Sequence, residues 1–176
     1  MIITTRIDTK IGTLIAGAVD EGLCLLEFNE PKRLNKEIEE LKNYFKTDIE
    51  EGESPLLGNL KSELLEYFKG TRREFTLPLV TFGTDFRKSV WQELLRIPYG
   101  TTRSYHEQSV ALGSPGSIRA VANANGMNRI SIIIPCHRVI GSDGSLTGYG
   151  GGIVRKRWLL EHEKKNSGKA HDLTLF

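Results

Sequence analysis

Residues 104–126 read SYHEQSVALGSPGSIRAVANANG. Ser104 and Glu107 have the spacing of a capping box, in which the serine oxygen accepts from the N–H three residues on and the glutamate reaches back. A helix therefore starts near Tyr105 and stops at Gly113, and Ser114-Pro115 opens a second one that ends at Asn125-Gly126. Two short helices joined by a tight glycine-bearing turn are the layout of a helix-turn-helix. The second helix carries a single charge, Arg119, among Ala120, Val121, Ala122, Asn123, Ala124 and Asn125. Small side chains let a backbone approach a partner closely. That partner is either a nucleic-acid groove or another helix of the core.

The flanking sequence extends this unit in both directions. A helix is predicted over 85–96, capped by Thr84 or Asp85 and burying Phe86, Val90, Leu94 and Leu95; Pro98-Tyr99-Gly100 ends it. Upstream, 78–84 reads as a linker, and the charge changes sign there. Residues 1–80 hold 11 Lys/Arg and 15 Asp/Glu, a net of −4, whereas 81–176 hold 13 and 7, a net of +6. A basic half beside an acidic one fits a nucleic-acid partner for the basic half, or a surface simply solvated by Lys and Arg. The first 30 residues alternate β-rich runs (2–7, 11–19, 23–28) with turn signals, which predicts an antiparallel meander. Helices follow over 31–46 and 55–69, the second with Ser54 as cap, Pro55 in its first turn and Gly70 past its end. Past the helix-turn-helix, the β-branched run 130–134 predicts a buried strand and 141–145 a hairpin turn. A last helix over 153–164 would bury Val154, Trp158 and Leu159. The expected division is a first domain at 1–80, a second at 81–166 that holds the helix-turn-helix, and a loosely held tail at 167–176.

Composition bounds the class. With 39% hydrophobic and 26% charged residues the chain reads as an ordinary globular protein. No apolar run reaches the roughly 20 residues of a membrane span. Met1-Ile2-Ile3-Thr4-Thr5-Arg6 lacks a signal-peptide layout, so a cytoplasmic location without membrane contact is expected. The two cysteines, Cys24 and Cys136, are not expected to form a disulfide in that compartment. The histidines do not stand at zinc-ligand spacing from either, so no metal site is expected.

Cys136 carries the chemistry. It lies in Pro135-Cys136-His137-Arg138-Val139-Ile140, directly after an apolar run. A cysteine there is usually an inert small hydrophobe. His137 beside it and Arg138 two along change that reading, because cationic or hydrogen-bonding neighbours lower a thiol's pKa and a histidine takes its proton directly or through water. An acid must then hold the imidazole; the residues alone leave Asp143, Glu161 and Glu163 open. Cys24, in Leu23-Cys24-Leu25-Leu26, has no polar neighbour and reads as core.

The hexamer at 135–140 resembles the active-site signature of the O6-alkylguanine-DNA alkyltransferases, the methylated-DNA–protein-cysteine methyltransferases. Val90-Trp91, Ile97-Pro98-Tyr99-Gly100, Arg119-Ala120-Val121 (17 residues before the cysteine), Asn128, Tyr149-Gly150-Gly151 and the run 158–163 match the family at its spacing. The likeness is strong over roughly residues 80–165. Over the first 80 it is one of length and strand–helix layout. It implies an α+β fold, with an N-terminal antiparallel β-meander and helices (ribonuclease H-like) followed by a mostly helical winged helix-turn-helix domain.

The resemblance also implies roles. Cys136 would accept an alkyl group from O6-alkylguanine, and from O4-alkylthymine, in double-stranded DNA, once per molecule. His137 would withdraw its proton through a water, Glu163 would orient His137, and Asn128 would order the loop and the water. Tyr105 would lie beside the extruded nucleotide and Arg119 would fill the gap left in the duplex. The backbone at Cys136, Val139 and Gly150, with Tyr149 nearby, would form the guanine pocket. Flipping is required because the alkyl group is shielded inside the duplex, and a minor groove only about 6 Å wide suits a small-residue helix. The reaction would need no metal or organic cofactor, and a monomer is expected. Arg129 stands where many relatives have proline, and would meet a phosphate or solvent; Ile118 is bulkier than the residue often found before the arginine. The alternatives are a non-catalytic winged-helix protein that recognises alkylated bases, which would lack the reactive cysteine, and a cysteine hydrolase. Neighbouring residues of an extended chain point opposite ways, which disfavours the direct Cys–His dyad of a hydrolase.

Overall fold

The computed structural model describes residues 1–168. The meander forms as predicted: β1 (Ile2–Thr9), β2 (Gly12–Val19) and β3 (Gly22–Phe28) pair antiparallel in sequence order. After α1 (Pro31–Phe45), a three-residue strand β4 (Ile49–Glu51) adds to β1 in parallel and makes the sheet mixed, in the order β3-β2-β1-β4. With one apolar residue in three, β4 has no alternation to read. Helix α2 (Pro55–Lys69) starts at Ser54, whose side chain accepts from Leu57 N at 3.2 Å, and ends at Gly70 with φ +80°. A Cβ at Gly70 would run into Asn166, so the glycine serves both the left-handed cap and a close approach.

All seven residues of β3 are buried, and both of its neighbours matter. Besides β2, its backbone meets the segment predicted as a linker: Leu23 N donates to the Pro78 carbonyl at 2.9 Å, and Val80 N to the Leu23 carbonyl at 2.8 Å. Further along, Leu26 N donates to the Arg129 carbonyl and Ser131 N to the Leu26 carbonyl, both at 2.8 Å. The edge strand is thereby closed by the chain itself. The expected strand at 130–134 is instead a single bridge at Ile130 followed by a buried tight turn, with Ile132 at φ 72°. Its apolar run reflects burial; only the first residue finds a ladder partner.

The second half begins with α3 (Asp85–Leu95), capped by Thr84. Strand β5 (Arg103–Ser104) leads into α4 (Tyr105–Ala111), where the capping box is present in full. Helix α5 (Ile118–Gly126) starts three residues later than Pro115 suggested, because 115–116 are spent on a turn. Its small residues serve both readings at once. Val121, Ala124 and Asn125 are buried, and Trp91 Nε1 donates to the Ala124 carbonyl at 2.9 Å, while Ile118, Arg119, Ala120 and Asn123 face outward. A single 3-10 turn (Cys136–Arg138) leads into β6 (Val139–Ile140), which pairs in parallel with β5. The turn at 141–145 therefore forms, but joins no hairpin. Helix α6 (Ile153–Asn166) closes the fold. Its inner face holds Lys156, Leu159 and Glu163; Val154, expected inside, is 79% exposed, and Trp158 is half-buried. Of the predicted tail, 169–176 lies outside the described residues.

Helices α4 and α5 are locked by a reciprocal amide pair: Gln108 Nε2 donates to Asn125 Oδ1 at 2.9 Å, and Asn125 Nδ2 to Gln108 Oε1 at 2.7 Å, with both side chains buried. Gln108→Leu leaves the Asn125 amide buried and unpaired and is expected to cost about 2 kcal/mol in urea denaturation. Adding Asn125→Leu should recover part of that loss, as a double-mutant cycle will show.

Candidate active site

Two anchors fix the loop that carries Cys136. The first is at Asn128, whose Oδ1 accepts from Ile130 N at 2.9 Å and whose Nδ2 donates to the Ile134 carbonyl at 2.9 Å and to Cys136 Sγ at 3.3 Å. Its own carbonyl accepts from Arg33 Nη2 at 3.0 Å. Arg33 in turn pairs with Glu27, which also accepts from Ser131 Oγ at 3.0 Å and Phe28 N at 3.1 Å. The second anchor is Glu163. Oε1 accepts from His137 Nε2 (2.7 Å), Tyr67 Oη (2.8 Å) and Arg138 Nη2 (3.0 Å), and Oε2 from Arg138 Nε (2.8 Å) and Gly100 N (3.3 Å). His137 and Glu163 are both fully buried.

The electrostatics follow from this geometry. Burial alone would push the Glu163 carboxyl up, but His137 and Arg138 outweigh it and hold the group below the ordinary carboxylate range. Burial pushes His137 down against the opposing pull of Glu163, so its imidazole rests neutral. With Nε2–H committed to Glu163, Nδ1 carries the lone pair, and among the described residues it has no hydrogen-bond partner. The neighbours of Cys136 were expected to lower its pKa. Instead burial raises it, helped by the charge of Glu27 and opposed by the Asn128 hydrogen bond, Lys156 and Arg33. The resting group is a thiol. Arg138, expected to act on the cysteine, faces Glu163 and the Ile97 carbonyl. Cys136 and His137 share a 3-10 turn rather than an extended chain, and among the described residues no hydrogen bond joins them directly.

Around the thiol stand the other expected residues. Val139 is buried, and its carbonyl accepts from Lys156 Nζ at 2.5 Å. The same ammonium donates to the Thr147 carbonyl at 2.9 Å, which also accepts from Tyr105 Oη at 2.9 Å. Tyr149 packs edge-on to His137 with ring centroids 6.4 Å apart. At Gly150 a Cβ would collide with the Arg33 guanidinium. Arg119 lies outside this cluster, on the exposed face of α5. Arg129, assigned to a phosphate or solvent, is buried instead: it pairs with Glu40 and lies 4.4 Å over the Phe82 ring. Cys24 is core as expected, with burial pushing its thiol up to about 12.

Several participants went unforeseen: Tyr67, Glu27, Arg33, Lys156 and the true partner of Arg138. Lys156 had a signal, since it sits seven residues before Glu163 with Leu159 between them, all on one helical face. Tyr67, Glu27 and Arg33 belong to the first half of the chain and had none. Among the described residues no group of three or more His, Cys, Asp or Glu is placed to hold a metal ion. No helix there is long and apolar enough to cross a membrane.

Comparison with known proteins matches both halves of the chain. A family model described as the 6-O-methylguanine DNA methyltransferase ribonuclease-like domain covers residues 2–81, and one for the DNA binding domain of the same family covers 85–165. A methylated-DNA–protein-cysteine methyltransferase of Methanosarcina barkeri is 43% identical over 91% of this chain and 96% of its own length. One of Mycobacterium bovis is 58% identical over 65% of this chain and 68% of its own. The crystal structure of Mycobacterium tuberculosis OGT in complex with DNA superposes with a TM-score of 0.80 at 43% identity, over 94% of this chain and 93% of that one.

The charges around Cys136 predict opposite shifts for two substitutions. Glu27→Gln removes a repelling charge and should lower the midpoint of thiolate formation. Asn128→Ala removes the donor to sulfur and should raise it. Absorbance of the thiolate, taken as a difference from Cys136→Ser, reads both, and Cys24 at about 12 stays silent.

Proposed function

The chain belongs to the 6-O-methylguanine DNA methyltransferase family, and on that premise we propose that Cys136 takes the alkyl group of O6-alkylguanine in double-stranded DNA once and irreversibly. The observation that carries this reading is the row Asn128–Cys136–His137–Glu163. It brings together a half-buried thiol, an imidazole whose Nδ1 lone pair has no partner among the described residues, and a carboxylate behind it that accepts five hydrogen bonds. The thiol proton passes through a water to Nδ1, and Glu163 stabilises the imidazolium. Asn128 keeps a donor on the sulfur as charge develops there. The thiolate attacks the alkyl carbon in line. An S–C bond forms, the C–O6 bond breaks, and its electron pair goes to the guanine, which takes up a proton. The thioether has no leaving path, so each molecule serves one lesion.

The remaining residues take their places around that step. The backbone at Cys136, Val139 and Gly150, with Tyr149, forms the guanine pocket, and Tyr105 stands beside the base. Lys156 draws the Val139 and Thr147 carbonyls toward one point and shapes that pocket. The target nucleotide must leave the stack, at a cost of a few kcal/mol. Arg119, on the outward face of α5 beside Ala120 and Asn123, enters from the minor groove and fills the gap. Residues 1–80 serve as a structural domain and 81–166 as the domain that binds DNA and reacts. O4-alkylthymine fits the same chemistry.

Incubation with a duplex bearing O6-methylguanine should add one methylene to the intact mass, at one per protein and not at all in Cys136→Ala. Tight binding with unchanged mass would instead identify a non-catalytic recognition module. Arg119→Ala should slow repair of the duplex by about tenfold or more, a loss of roughly 1.4 kcal/mol of transition-state stabilisation, yet react normally with free O6-benzylguanine. Equal loss on both substrates would make Arg119 structural.

A further inference from the structure

We propose that Tyr67, on α2 in the first half of the chain, is a positioning residue for the proton relay. Its hydroxyl donates to the one carboxylate oxygen of Glu163 that also accepts from His137, and so sets how strongly that carboxylate draws on the imidazole. This rests on the reading that His137 and Glu163 carry the thiol proton. The distances are 2.8 Å from Tyr67 Oη and 2.7 Å from His137 Nε2, both to Oε1. Tyr67 is fully buried, and its ring meets Phe68, Phe75 and Tyr99 at centroid distances of 5.4, 5.5 and 6.1 Å. Phenylalanine would fill that space without burying a hydroxyl. What tyrosine adds is the single donor to Glu163.

The direction of its effect follows from sharing. Donors to one carboxylate oxygen divide its charge, so each weakens the hold on the others. Among the described residues, charged and titratable groups face this point from several elements. Arg138 donates to both oxygens from the 3-10 turn, and the Gly100 N–H adds a fifth bond. Tyr99 acts on Glu163 from the loop after α3, with Arg73 beyond it. Lys156 acts on His137 from α6, and His162 lies 5.4 Å from the Tyr67 ring. None of these moves when the hydroxyl alone is removed. In Tyr67→Phe, Oε1 keeps only His137 and Arg138, so the imidazolium gains. The His137 midpoint should rise by roughly half a pH unit to one unit, and the acid limb of the alkylation rate should rise with it.

The test uses the full chain and free O6-benzylguanine, which removes DNA binding from the readout. Rate against pH is measured for wild type, for Tyr67→Phe, and for protein with 3-fluorotyrosine at position 67, a near-isosteric and stronger donor. The His137 ring is titrated in parallel by nitrogen-15 NMR. An upward shift in Tyr67→Phe and a downward one with fluorotyrosine are expected. Superimposable His137 titrations, with only thermal stability changed, overturn the proposal. If Tyr67→Phe does not fold, the fluorotyrosine protein decides alone. Failure of the relay itself has a different signature: a wild-type rate with no limb at the His137 midpoint, or Glu163→Gln reacting at the wild-type rate throughout. The NMR titration still reports on Tyr67 in that event.

Discussion

A buried carboxylate with five donors is the constraint around which this molecule is arranged. An unpaired charge in the interior is expensive, and breaking a buried pair by removing one partner typically costs about 3–5 kcal/mol. Glu163 escapes that penalty only if α6, the 3-10 turn, α2 and the loop at Gly100 all arrive together. This explains why α6, a helix without a conventional apolar stripe, can still bury a face. Lys156 is held by two carbonyls and Glu163 by its donors, with Leu159 between them. The polar face is inside because every polar group on it is paired.

From the sheet comes the other fixed point. The edge of β3 grips residues 129–131 through two backbone hydrogen bonds, and Glu27 and Arg33 secure Ser131 and the Asn128 carbonyl from the same side. The loop is therefore held at Asn128 by the first half of the chain and at Arg138 by Glu163. Between these points Ile132 sits at φ 72°, a conformation a β-branched residue avoids unless its surroundings over-determine it. A loop so constrained presents its cysteine in one geometry, which is what the in-line displacement proposed above requires.

The degree to which the sequence disclosed all this follows the range of the forces involved. Capping at Ser54, Thr84 and Ser104 acts within four residues, so those helix starts were legible. The pairing of Gln108 with Asn125 was invisible, yet the two helices it joins were not. β4 escaped because its stability lies in β1, and 130–134 was misread because burial and strand formation leave the same apolar signature. The inner face of α6 was assigned by hydrophobicity, a rule that fails where charges are buried in pairs. Cys136 and His137 declared themselves as neighbours. Their electrostatics did not, because Glu27 lies more than a hundred positions away in the chain.

The raised pKa of Cys136 is the correction with most consequence for how the site works. A thiolate reacts with any oxidant or electrophile that reaches it, whereas a thiol is comparatively inert. For an enzyme that turns over, a stray reaction at an exposed nucleophile is one loss among many cycles. For the single-use acceptor proposed above, every stray reaction removes a whole molecule from service. Burial and Glu27 hold the proton on sulfur, while Asn128, Lys156 and Arg33 act the other way. The balance keeps the proton on sulfur at rest, and in the relay proposed above it leaves only when His137 takes it. On the reading proposed above, the first half of the chain does more than brace the second: through Glu27, Arg33 and Tyr67 it sets when the nucleophile exists.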